Sequence, residues 1–195
     1  TAQQLTIFIY QHFNFKQMNL LKLRNPIPPT GIMLIAYHIA LAVSLPLYLY
    51  FSSPGMGLII TTAALYILSE AGITAGYHRL YSHKAYSLNK TAESVLLLLG
   101  TLSVQGSVLK WSHDHRKHHQ YVDTEKDPYS VKDGFWHAHF LWILKNNEGF
   151  DTTVVQDLAK SRLLAFQHKY YVLLAIILNV LVIMLFGWLF SDYAG

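Results

Sequence analysis

Apolar positions run almost unbroken through three stretches: Ile32–Phe51, Met56–Tyr77 and Tyr170–Phe190. The first carries no charge, the second is interrupted only by Glu70, and the third has Asn179 as its one strongly polar member. Twenty residues of α-helix rise about 30 Å, enough to cross the hydrocarbon core of a bilayer, so each stretch predicts a membrane span. Pro26, Pro28 and Pro29 precede the first and mark where it starts. Ser52, Ser53, Pro54 and Gly55 form a tight turn, which predicts a helical hairpin from the first two spans. Val95–Val104 is apolar but too short to span, as expected of a buried or re-entrant helix. His113–Lys169 reads as soluble, with a turn at Asp127-Pro128. The pattern predicts an all-α integral membrane protein of one domain. Residues 1–29 are a cytoplasmic or interfacial segment, 32–51, 56–77 and 170–190 are transmembrane helices, and 78–169 form a cytoplasmic helical cap.

Charge gives this arrangement an orientation. Lys16, Lys22 and Arg24 precede the first span, and the other twelve basic residues lie between the second span and the third. The Ser52–Gly57 turn and the tail after the third span have none. The positive-inside rule therefore places the N-terminus and the central polar region in the cytoplasm, in the endoplasmic reticulum or a bacterial inner membrane. The net charge of +4 is a topology signal, and no recognition helix or base-stacking sheet accompanies it, so nucleic acid is not expected as a partner. The same asymmetry, with three runs agreeing, argues against a buried core in a large soluble protein. With no cysteine, a disulfide, a thiolate cluster and a cysteine nucleophile are excluded.

The chemistry concentrates in two short stretches, GYHRLYSH at 76–83 and WSHDHRKHHQ at 111–120, which hold six of the eleven histidines. His115, His118 and His119 stand at i, i+3 and i+4, so on a helix they leave from one face within about a turn. Three neutral imidazoles form a transition-metal ligand set. A solvated basic helix is the plainer explanation of such a stretch, but it would use lysine and arginine instead. His113, two residues from His115, leaves on the other side of the helix, toward an outer or surface position. His78 and His83 are five apart, so on a straight α-helix they point about 140° from each other. They share an ion only if the helix ends or bends near Tyr81. Gly72 and Gly76 allow a neighbouring helix to approach closely. Together the two stretches offer five imidazoles, more than a four-ligand structural zinc site uses.

GITAGYHRLYSH at 72–83 and HDHRKHH at 113–119 resemble the first two histidine boxes of the membrane fatty acyl desaturases, most closely the Δ9, stearoyl-CoA type. DTEKDPYS at 123–130, GFWHAHFLW at 134–142 and FQHKYY at 166–171 resemble that family in order and spacing. The similarity covers roughly residues 25–190. The resemblance implies a di-iron centre held mainly by histidine. His78, His83, His115 and His119 would serve one iron and His118 the other, with zinc as a possible substitute in a structure. It places Gln105 and Trp111 at the bend of an acyl tunnel and Tyr66 near its closed end. Ordinary packing explains Tyr66 and Trp111 equally well. Glu70 stands one turn from Tyr66, where a small residue is more usual, and an intramembrane carboxylate is a functional candidate. Asp114 and Asp127 are candidates to orient ligand imidazoles from outside, although a helix-surface charge and a turn residue would look the same. His139 matches a family histidine that is not an iron ligand, and His12, His38 and His168 are read as structural. Lys145 stands near the expected CoA end, in a pattern reduced to KNN. The family's fourth spanning helix and third box, HxxHH, lie beyond Gly195, so a fragment is expected.

The resemblance implies an iron-dependent, O2-using acyl desaturase acting on an acyl-CoA or acyl-lipid in a bilayer, with electrons from a carrier such as cytochrome b5 or ferredoxin. Two alternatives use the same residues. One is a membrane di-iron hydroxylase of fatty acids or alkanes, and the other is a truncated, non-catalytic metal-binding membrane protein.

Overall fold

The computed structural model describes residues 27, 29–144 and 149–191. The N-terminal segment with His12, and Lys145, lie outside the described residues. Among the described residues every regular element is helical. Helix α1 runs Pro29–Phe51 and α2 Met56–Ala71, the latter continuing without a break as a π-helix, Gly72–Ser82. Next come α3, Lys90–Leu102, and α4, Val108–Tyr121. Short pieces connect onward: a 3₁₀ turn at Val131–Asp133, α5 at Phe135–His139, 3₁₀ turns at Leu141–Leu144 and Thr152–Val155, and α6 at Gln156–Ala159. Helices α7, Arg162–Lys169, and α8, Tyr171–Phe190, complete the chain. Among the described residues, three helices are long and apolar enough to cross a membrane: Gly31–Phe51, Met56–Ser82 and Tyr171–Phe190. The second is longer than its apolar run suggests, because the π-helix carries it past Tyr77 to Ser82.

The described residues fall into two compact units, with boundaries inside α1 and α4. The first takes residues up to Ala42 and Lys117–Gly149; the second takes Val43–Arg116 and Phe150–Gly195.

The second unit holds the core. Ile73, Tyr77 and Tyr81 from the π-helix pack with Leu97 of α3, Val108 and Leu109 of α4, and Val155, Leu158 and Leu164. Helix α3 starts at Asn89, whose side chain accepts from the Ala92 N–H at 2.9 Å, a standard N-cap. Its other end lies against the π-helix at glycines. A Cβ on Gly72 would fall 2.6 Å from the Leu99 carbonyl carbon, and one on Gly100 would meet the Tyr77 ring. Only hydrogen fits at those two points, so the backbones close directly on each other. A buried polar knot ties the same region to α7. The Gln167 amide donates to Tyr77 Oη at 2.9 Å and Thr101 Oγ1 at 3.1 Å, and its oxygen accepts the first N–H of α4, from Val108, at 3.1 Å. That N–H has no partner inside its helix, so the glutamine also caps α4.

In the first unit, the 123–130 loop is organised by Asp127, and His38 donates to the Leu34 carbonyl at 2.8 Å while meeting Phe140 edge-on.

Candidate metal centre

The first histidine pair is brought together by hydrogen-bond register. Within Gly72–Ser82 the ladder is i→i+5: His83 N–H donates to His78 O at 3.0 Å, and the Ser82 hydroxyl reaches Tyr77 O at 2.8 Å. The wider ring returns residue i+5 over residue i, where an α-helix would leave it about 140° away. The imidazoles of His78 and His83 stand 4.6 Å apart, centre to centre. The helix does end next to Tyr81, at Ser82, and what unites the pair is the wider turn that leads to that end.

Helix α4 supplies the other half. His83 Nε2 lies 3.1 Å from His78 Nε2 and 3.0 Å from His115 Nε2, so three like nitrogens converge from segments more than thirty residues apart. His119, one turn beyond His115 on the same unbroken helix, joins them, and one ligand nitrogen from each of the four lies within 4.8 Å of the others. The donor set fits a metal ion. Nitrogens about 2.1 Å from a common ion and at right angles to each other lie about 3.0 Å apart. Imidazole nitrogen is a ligand shared by iron, zinc, copper and nickel.

Trp111, one turn before His115, stacks on its ring at 4.9 Å and 29°, and meets His78 and Tyr77 edge-on at 6.1 and 6.2 Å. Tyr77 is fully buried and held by Gln167, so the indole rests on a fixed wall and limits the tilt of two cluster imidazoles.

His118 keeps its ring edge-on to His119 at 5.6 Å but turns one nitrogen to a different partner. Its Nδ1 donates to Asp127 Oδ1 at 2.8 Å, and its ring stacks on Tyr129 at 4.3 Å. The i, i+3, i+4 spacing predicts one common face, but only His115 and His119 of the three join the group with His78 and His83. Asp127 is buried and also accepts the N–H groups of Asp123 and Tyr129 at 3.0 and 3.1 Å. Burial works to raise its pKa, and the hydrogen bonds from His118 and the two backbone amides outweigh it, holding the carboxyl below its ordinary value.

The remaining candidates lie as follows. Asp114 takes Lys110 at 2.5 Å and the Nδ1–H of His113 at 2.9 Å. His113 accepts the Asp151 N–H on its other nitrogen at 3.3 Å, so both ring nitrogens are used and the ring is 1% exposed. It is a core histidine, not a surface one; of the two polar partners that allow its burial, Asp114 is its neighbour in the chain and Asp151 comes from 38 residues away. Gln105 donates from its amide to Glu70 Oε1 at 3.2 Å. Tyr66 points outward from α2 and is 66% exposed. His168 meets Ser107 Oγ at 2.6 Å, and burial lowers its pKa. His139 donates to Phe135 O at 2.8 Å, and His137 lies 3.3 Å from Asp133. Arg116, counted in the sequence only as a cation, donates to Asp157 at 2.7 and 3.1 Å and to the carbonyls of Tyr81, Ser82 and Val154. Nothing in its neighbours along the chain signals those contacts.

Comparison with known proteins bears on this geometry. The family model described as "Fatty acid desaturase" matches residues 51–194. A probable acyl-CoA desaturase of Schizosaccharomyces pombe is 44% identical over 133 residues, 67% of this chain and 28% of the relative. Acyl-CoA desaturase 1 of Saccharomyces cerevisiae is 33% identical over 189 residues, 95% of this chain and 34% of the relative. The sn-2 palmitoyl-lipid 9-desaturase of a Nostoc strain is 37% identical over 150 residues, 74% of this chain and 52% of the relative. The chain thus spans from about a quarter to about half the length of these relatives.

Proposed function

This chain belongs to the fatty acid desaturase family, and from that premise we propose that it is an iron-dependent, O2-using fatty acyl desaturase that places a cis double bond, at Δ9, in a saturated acyl chain. The observation that carries the reading is the convergence of His78, His83 and His115 at 3.0–3.1 Å, with His119 one turn further along α4. These four would hold one iron. We assign His118 to a second, because Asp127 fixes its ring through Nδ1 as carboxylates commonly do for metal-bound histidines. Asp114, by contrast, orients His113.

Iron bound there supplies the activation of O2. In the balanced reaction one C–H bond breaks on each of two neighbouring methylenes, a C=C bond forms, and O2 takes these two hydrogens with two further electrons and two protons to give two waters. The two electrons come from a separate carrier of the cytochrome b5 or ferredoxin type.

What this chain's own residues do is hold and orient. Trp111 stacks on His115 and leans on Tyr77, which keeps an apolar wall beside the cluster. Such a wall excludes water and lets a methylene pair lie close to the reacting centre. Gln105 and Glu70, bonded to each other, form a polar pair that we place at the bend of the acyl path, with Tyr66 toward its far end. The acyl group arrives on CoA or on a lipid; the relatives above carry both kinds of name. The lipid bilayer is that of the endoplasmic reticulum or a bacterial inner membrane, with the histidines on the cytoplasmic side, a reading the distribution of basic residues supports.

Lipid analysis tests this. Cells expressing the full-length gene should accumulate monounsaturated acyl chains with the double bond at carbon 9, located by mass spectrometry after derivatisation. Products carrying a hydroxyl would instead indicate the hydroxylase. Unaltered lipids from protein that binds iron would indicate a non-catalytic metal protein.

A further inference from the structure

Arg116 follows the cluster histidine His115 directly and spends every N–H it has. The Nε–H donates to Ser82 O at 3.1 Å. One terminal nitrogen donates to Val154 O at 3.0 Å and Asp157 Oδ1 at 2.7 Å, the other to Tyr81 O at 2.9 Å and Asp157 Oδ2 at 3.1 Å. That is five donors with five acceptors, the full capacity of a guanidinium. Two of the acceptors are the last carbonyls before His83. The Ser82 carbonyl belongs to the same peptide group as the His83 N–H, which itself donates to His78 O at 3.0 Å. The peptide plane that launches His83 is therefore held on both edges, by His78 and by Arg116.

The chain beyond His83 is held from the same place. Lys84 adopts φ 51°, a left-handed conformation that non-glycine residues rarely take, and its ammonium pairs with Asp157 at 2.7 Å. Asp157 thus bonds both Arg116 and the residue that follows His83. The Ser82 and Ser112 hydroxyls, 3.0 Å apart, add a second tie between the π-helix and α4.

We propose that Arg116, with Asp157 as its counter-ion, is a positioning residue that sets where His83 stands relative to His115, so that its loss loosens the metal site and not merely the fold. The inference rests on reading the histidine cluster as a metal site. Lysine is a poor substitute: an ammonium has three donors and no plane, and cannot reach two carbonyls and both carboxylate oxygens at once.

The test is a Co(II) titration of the purified full-length protein in detergent, followed by visible absorption and metal analysis, with circular dichroism as the check on folding. R116K should keep its helical spectrum, bind Co(II) about 10- to 100-fold more weakly and change the cobalt absorption bands. D157N should shift both readouts the same way by less, because the three carbonyl contacts of Arg116 survive. A helical R116K that unfolds at lower temperature but binds Co(II) with wild-type affinity and spectrum would make Arg116 an ordinary anchor and overturn the proposal. Should R116K not fold, D157N decides: unchanged Co(II) binding overturns the proposal and weakened binding upholds it. Wild-type protein that takes up no Co(II) would overturn the metal reading itself, and this inference with it, a result distinct from equal binding by wild type and variant.

Discussion

Asp157 keeps its negative charge in the company of two cations. The Arg116 guanidinium beside it holds its carboxyl well below the usual carboxylate range, burial opposes that shift, and Lys84 adds to it. A carboxyl whose pKa is depressed in the folded state contributes stability that is fully present above its unfolded value, about 3.9, and is lost as pH falls through the folded value. Thermal unfolding in detergent should therefore show wild-type stability declining below about pH 4. In D157N this part of the decline should be missing, with a lower but flatter curve over the same interval. Equal slopes for the two proteins would mean that the ion pair contributes nothing to folding. His118 makes a related point about single residues. Its spacing puts it with His115 and His119, and its ring does stay against His119, yet a buried carboxylate nine positions later engages its Nδ1.

At the scale of elements, the decisive pair is the π-helix and α3. The i→i+5 ladder aligns His78 over His83, and the close approach of α3 at Gly72 and Gly100 packs Tyr77 behind Trp111. Gly72→Ala would set a Cβ 2.6 Å from the Leu99 carbonyl carbon, where backbone, not a flexible side-chain end, must yield. Overpacking of this kind costs about 1–3 kcal/mol. The unfolding temperature of Gly72→Ala should drop by several degrees. Gly55→Ala, whose added carbon meets nothing within 4 Å, should leave it nearly unchanged. Similar values for both would show that the glycine contact does not limit helix approach.

At the scale of the molecule, three helices among the described residues are long and apolar enough to cross a bilayer, and the first has none of its most apolar window buried. The protein should stay with membranes through an alkaline carbonate wash and leave them only in detergent; release by carbonate would contradict spanning. Stripping metal with a chelator should abolish double-bond formation in membranes supplied with electron donor. Fe(II) should restore it, and Mg(II), which prefers oxygen ligands, should not. Restoration by Mg(II) would sink the iron assignment.

The three long apolar helices were legible in the chain itself, because a run of apolar residues about twenty long has one cheap environment whatever its neighbours do. The histidine types and their spacing on α4 were legible as well, since helical periodicity is local. Spacing alone did not show that His78 and His83 meet, because the α-helical rule sets them apart and only a change in hydrogen-bond register reunites them. Nor did it show that His118 bonds Asp127, that His113 is buried, or that Arg116 clasps the carbonyls before His83. The first outcome is a local change of helical register that composition does not signal; the other three depend on groups further off in the chain and adjacent in space, whose polar atoms must find partners once water is gone.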